Sequence, residues 1–142
     1  MDKASFIDRI WAASEKWSTL NDQELRHLAH HLRSLGKAEQ FDALVSLFID
    51  PPPHAYLAQE YAGRLLLVAQ PPCPLAPREL LLRTLPRWER SIEQLPQYAS
   101  QEFGLDAVAA ALDQVDASGE VDRAATDTVR FWLRISSARG PG

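Results

Sequence analysis

The chain has 142 residues, a length that fits one ordinary domain. Hydrophobic residues make up 46% and charged residues 24%, the balance of a folded globular chain rather than a disordered one. A net charge of −4 argues against nucleic acid or an anionic membrane as partner, and the single cysteine excludes an internal disulfide and any zinc site built on several thiolates.

Leucine and alanine number 20 each, against six valines, five isoleucines and four threonines, so strong helix formers far outnumber β-branched residues. The expected class is all-α. Asp2 or Ser5 opens the first helix, with Phe6, Ile10 and Trp17 on one face and Ile7 and Trp11 flanking it. Asn21 is an N-cap for the second, and Glu24 three places on completes a capping-box pattern. Leu25, Leu28, Ala29, Leu32 and Leu35 then recur at helical spacing, and Gly36 is expected to close the helix as its C′ residue. A third helix follows, burying Phe41, Leu44, Val45 and Phe48, and stops before Pro51-Pro52-Pro53.

The fourth helix, about 54–70, is apolar nearly all round at its end (Leu65, Leu66, Leu67, Val68), which predicts a central position. Gly63 within it costs roughly 1 kcal/mol of helix propensity and predicts a close helix–helix crossing. Residues 71–77, four of them proline, form a rigid linker that could divide two subdomains of a single domain spanning 1–142. Pro77 then starts a helix carrying Leu81, Leu82, Leu85 and Trp88, which Pro86 kinks or breaks. Pro96 is expected as the first residue of a short helix holding Tyr98 and Phe103 and ending at Gly104. A helix over 105–115 and a turn at 117–119 come next. The last helix, 121–136, is expected to bury Val121, Ala125, Thr128, Val129 and Trp132, ahead of a disordered tail at 138–142. The whole amounts to about seven helices.

Leu35-Gly36 and Phe103-Gly104 each join two helices with almost no loop, which forces antiparallel neighbours. Stacked antiparallel hairpins, in a short curved array or an irregular bundle, are the expected architecture. No apolar stretch approaches the ~20 residues of a membrane span, and the residues after Met1 contain no apolar run of signal-peptide length, so the expected address is the cytoplasm.

Chemistry-bearing patterns are few. His27 and His31 lie four apart on the second helix, opposite its leucine stripe, and Glu24 with His27 makes Glu-x-x-His. A di-iron helical site needs a second copy of that motif, and there is none. Glu24, His27 and His31 are therefore read as a solvated or partner-contacting face, with metal binding or catalysis in a small all-α enzyme as the alternative use. Arg83, Arg87 and Arg90 form one stripe, and Arg123, Arg130 and Arg134 another on the polar side of the last helix. These read either as solvated faces with ion pairs such as Glu79–Arg83 and Asp127–Arg130, or as a patch docking an acidic protein surface. Asp113 and Asp116, three apart near a helix end, read as solvation. The four tryptophans sit on or beside core stripes. Cys73 is flanked by prolines with no histidine or cation cluster beside it, so it is read as incidental. Gly-x-Ser-x-Gly and a glycine-rich phosphate loop are both missing, so neither catalysis nor a cofactor is expected.

The junctions Leu35-Gly36-Lys37 and Phe103-Gly104-Leu105 resemble those of HEAT-like helical hairpins. Small acidic proteins of this build resemble bacterial immunity proteins, and 25–47 also looks like the helical arms of signalling ATPases. The resemblance implies a non-catalytic cytosolic interaction module that binds another protein, such as a basic toxin, or else an accessory subunit or scaffold of a larger complex. Glu24, His27, His31, Arg83, Arg87 and Arg90 are the candidate protein-binding residues.

Overall fold

The computed structural model describes residues 2–136; the tail expected at 138–142 lies outside them. Among the described residues there are eight α-helices and no strand: α1 (Lys3–Lys16), α2 (Asp22–Leu32), α3 (Lys37–Ile49), α4 (Ala55–Ala69), α5 (Pro77–Thr84), α6 (Gln94–Phe103), α7 (Leu105–Ser118) and α8 (Arg123–Leu133). The all-α expectation holds, with eight helices rather than about seven. None is long and apolar enough to cross a membrane.

Local chemistry sets most helix ends. Asp2 accepts a hydrogen bond from the Ser5 amide at 2.8 Å, and Asn21 accepts one from the Glu24 amide at 2.9 Å. The reciprocal half of the expected capping box is missing. The Asn21 amide donates instead to the Tyr61 hydroxyl, 40 residues away, and the Glu24 carboxylate turns to Arg9 on α1. Pro86 ends α5 at Thr84 and leaves a 3₁₀ turn over Leu85–Arg87, as a proline lacking its amide hydrogen must. Pro77 opens α5 as expected, whereas α6 starts at Gln94, two residues before Pro96.

The two glycine junctions are unlike each other. Gly36 has φ −64° and caps the start of α3, so the expectation that it closes α2 is overturned. The buried Gln40 amide does that work, donating to the carbonyls of Leu32 and Leu35 at 3.2 and 3.0 Å. Gly104 has φ +85° and ψ 156°, a region open in practice to glycine alone, and reverses the chain between α6 and α7.

Helices α1, α2, α3 and α6 all pack on α4, the central helix of the fold. At Gly63 the crossing with the start of α6 is close enough that a Cβ would stand 2.8 Å from the Gln94 Cβ, as the propensity loss there foretold. Val68, however, is 75% exposed, so the apolar girdle expected at the end of α4 is incomplete. Every helix packs on the one two places further along: α1 on α3, α2 on α4, α3 on α5, α4 on α6, α5 on α7 and α6 on α8. One continuous hydrophobic core runs from Phe6 to Val129, across the proline-rich segment 71–77. Tyr98 pins that segment by donating its hydroxyl to the Pro71 carbonyl at 2.5 Å.

Candidate functional site

The groove of interest opens where α1 ends and α4 begins. The α1 helix stops at Lys16 and Trp17 follows in an extended conformation, φ −110° and ψ 147°. That turn takes the indole off the core face where helical spacing put it and leaves it partly exposed. On the facing side, Pro51-Pro52-Pro53 ends one helix and delivers the chain to His54, the uncapped start of α4. Tyr56, one residue into α4, is 50% exposed.

A third wall comes from the segment after the 3₁₀ turn. Gln59 on α4 is fully buried, and its side-chain amide donates to the carbonyls of Leu47 and Arg87 at 3.3 and 2.9 Å. Its oxygen accepts the Glu89 amide at 2.7 Å. Trp88 fixes the same segment from the other side, its indole donating to the Ile92 carbonyl at 2.8 Å. These contacts hold Glu89 at the rim.

The resulting groove has a volume of about 570 Å³ and is lined by Glu15, Lys16, Trp17, His54, Tyr56, Leu57 and Glu89 among others. That volume falls within the usual range of binding sites. The Lys16 ammonium sits 5.0 Å from the Trp17 ring centroid, a cation–π distance. Glu15 and Glu89 make no ion pair among the described residues. The helix ends oppose one another here: the carbonyl end of α1 is partially negative and the amide end of α4 partially positive.

A second hollow borders the other end of the same segment. Glu93, Gln97, Phe131, Trp132, Arg134 and Ile135 line it, and Phe131 is 69% exposed. Trp132 is half-buried, its indole donating to the Arg90 carbonyl at 2.7 Å. A smaller, more apolar hollow lies between α3 and α5, lined by Phe41, Val45, Ile49 and Leu75 with Asp42 and Arg83 at its edge.

The residues singled out from the sequence fall elsewhere. His27 is exposed on α2, while Glu24 and His31 are half-buried, and Arg9 of α1 lies 3.4 Å from Glu24. Burial lowers the His31 pKa, and the positive field of Arg9 and of the neighbouring His30 and His27 adds to the shift. Among the described residues no group of three or more histidine, cysteine or acidic side chains is placed to hold a metal ion. The arginine stripe is not one helix face. Arg83 pairs with Glu79 at 3.0 Å on α5, Arg87 lies in the 3₁₀ turn 3.7 Å from Asp50, and Arg90 in the following segment meets Asp122 at 3.1 Å. Pro86 is the reason, since it ends the helix that would have aligned them.

The second stripe is corrected as well. Arg130 is not on a solvated face: its side chain is 5% exposed and reaches Asp116 at 2.6 Å, Asp113 at 3.1 Å and Asp127 at 3.0 Å. Asp116, read from its spacing as solvated, is 9% exposed and also accepts the Thr126 hydroxyl at 2.6 Å. Burial pushes the Asp116 carboxyl up, but the hydrogen bonds from Thr126 and Arg130 and the charges of Arg130 and Arg123 outweigh it and hold the pKa below the ordinary carboxylate value. This cluster ties α7 to α8 through the two terminal nitrogens of Arg130, while its Nε is buried without a hydrogen-bond partner among the described residues. Thr128 and Trp132, expected in the core, are only half-buried, and Thr126 and Arg130 take the inward positions.

Comparison with protein-family models, with curated proteins and with solved structures finds no match to this chain. The geometry therefore carries the functional reading.

The Trp17–Tyr56 groove was not legible beforehand. Both residues sit beside helix ends, and periodicity assigns an aromatic there to the core unless the helix boundary is known to the residue. Gln59 did leave a signal, a lone amide within the apolar run of α4 (Leu57, Ala58, Ala62, Leu65, Leu66).

Proposed function

We propose that this chain is a non-catalytic protein-binding module, built as a short HEAT-like stack of helical hairpins, that blocks another protein by docking it in the Trp17–Tyr56 groove. A toxin held by a cytoplasmic immunity protein is the form of this reading that fits best. The observation that carries it is the pair of exposed aromatics, Trp17 and Tyr56, in a walled groove with a charged rim. Aromatic anchors surrounded by polar residues are what protein interfaces concentrate their energy on. The order of packing supports the hairpin stack: odd-numbered helices follow one another in contact, and so do even-numbered ones.

The partner suited to an acidic chain of net charge −4 is a basic protein, drawn in by complementary charge. The candidate contacts at Glu24, His27, His31, Arg83, Arg87 and Arg90 would belong to separate patches. Of these, Arg83 borders the hollow between α3 and α5. An accessory subunit in a larger complex is the second reading, favoured by the exposed Phe131 in its own hollow.

The test is capture from the native host at low salt by the tagged chain, against a Trp17→Ala/Tyr56→Ala double variant of matching circular dichroism. At least one protein retained by the wild type and lost from the double variant is expected. A retained set that is the same for both overturns the groove as the docking site.

A further inference from the structure

Resting on that docking groove, we infer that it receives an arginine side chain of the partner protein. Three observations point to that side chain. Glu15 and Glu89 line the groove and have no cationic partner among the described residues, whereas Asp50, Asp116 and Asp122 all have one. The aromatic surface is already one that a cation visits, since the Lys16 ammonium lies 5.0 Å from the Trp17 centroid. Tyr56 presents a second ring at the same opening, with no cation over it among the described residues.

The opposed helix ends of α1 and α4 offset each other, so the side chains set the sign. Two carboxylates against one ammonium leave the groove acidic. Arginine suits it better than lysine. A guanidinium is flat enough to lie on an indole or phenol ring while its edge donates two parallel hydrogen bonds to a carboxylate, and it is more weakly hydrated than an ammonium. Gln59, with no exposure to solvent, holds the Glu89 amide at 2.7 Å and the Arg87 carbonyl at 2.9 Å, which fixes the backbone from which the Glu89 side chain reaches the rim.

The probe is the peptide acetyl-Gly-Gly-Arg-Gly-Gly-amide, titrated into the full chain while the indole N–H signal of Trp17 is followed by NMR, assigned by its loss in Trp17→Phe. The control peptide carries citrulline, which keeps the shape and hydrogen-bonding edge but not the charge. A saturable shift is expected with the arginine peptide, and at least tenfold weaker binding of the citrulline peptide. A Glu15→Gln/Glu89→Gln variant should likewise bind the arginine peptide at least tenfold more weakly. These carboxylates are exposed, so the variant keeps its fold. Equal binding of the two peptides, no saturable shift, or an unchanged affinity in the double-glutamine variant overturns the assignment. Each of those results, combined with host capture that still depends on Trp17 and Tyr56, removes the arginine and leaves the docking groove standing. Capture independent of both aromatics removes the groove itself.

Discussion

Replacing Arg130 by methionine takes the central cation out of a buried cluster and leaves Asp116 without its closest cation. In the wild type the guanidinium reaches Asp116 at 2.6 Å with 5% and 9% of the two side chains exposed. Removing one member of a buried pair costs roughly 3–5 kcal/mol, because the charge left behind is neither solvated nor paired. Here the lower end applies, since Asp116 keeps the Thr126 hydroxyl at 2.6 Å and Arg123 at 3.5 Å. The pairs with Asp113 and Asp127 reach towards solvent and add at most about 1 kcal/mol together. The expected loss is therefore about 3 kcal/mol, or roughly 10 °C in Tm for a chain of this size. Urea unfolding followed by circular dichroism measures it.

The pH dependence gives an independent check. The folded pKa of Asp116 is held below the ordinary 3.8 of the unfolded chain, so its contribution is complete above that value and disappears as the pH falls through the lower, folded one. Without Arg130, burial pushes the Asp116 carboxyl of the variant up, so the gap between wild type and Arg130→Met should begin to narrow as the pH falls through that raised value and go on narrowing below pH 4. An Arg130→Met/Asp116→Leu double variant should regain most of the loss, because the stranded charge goes with it. A loss under 1 kcal/mol at pH 7, or a double variant no better than the single one, would refute the view of this cluster as a buried electrostatic tie.

Three further outcomes are expected from the backbone and the helix ends. Gly63→Ala should destabilise by about 1–2 kcal/mol in chemical denaturation: a Cβ 2.8 Å from the Gln94 Cβ must push α6 away, and the helix-propensity gain of roughly 1 kcal/mol offsets only part of it. Gly104→Ala, at φ +85°, should lose about 1–3 kcal/mol although its surroundings are open, whereas Gly36→Ala, at φ −64°, should change stability by less than about 0.5 kcal/mol. Tyr61→Phe should cost about 1 kcal/mol by leaving the Asn21 amide unpaired, and amide exchange at the start of α2 should accelerate in that variant.

Helix class, most boundaries and the core of α3 could be read from the letters, because those properties are local. A proline removes a donor wherever it sits, an asparagine caps the helix that follows it, and leucines three and four apart share a face whatever lies opposite. Phe41, Leu44, Val45 and Phe48 are buried for that reason. The close approach at Gly63 was legible too, since glycine inside a helix is unfavourable unless something comes near.

Partnerships between distant residues were a different matter. Whether Arg130 faces water or three carboxylates depends on how α8 is rotated against α7, and a polar stripe looks the same in either case. Glu24 was placed opposite the leucines and is half-buried, with Arg9 of a preceding helix 3.4 Å away. Gly36 and Gly104 occupy matching junctions in the chain yet differ in the sign of φ, which follows from the direction the next helix must take to reach its neighbours. The groove itself joins residues from α1, α4 and the segment behind Pro86, up to 74 positions apart between Glu15 and Glu89. No local rule links such positions; packing helices onto a shared core brings them together and leaves the rings of Trp17 and Tyr56 outside it.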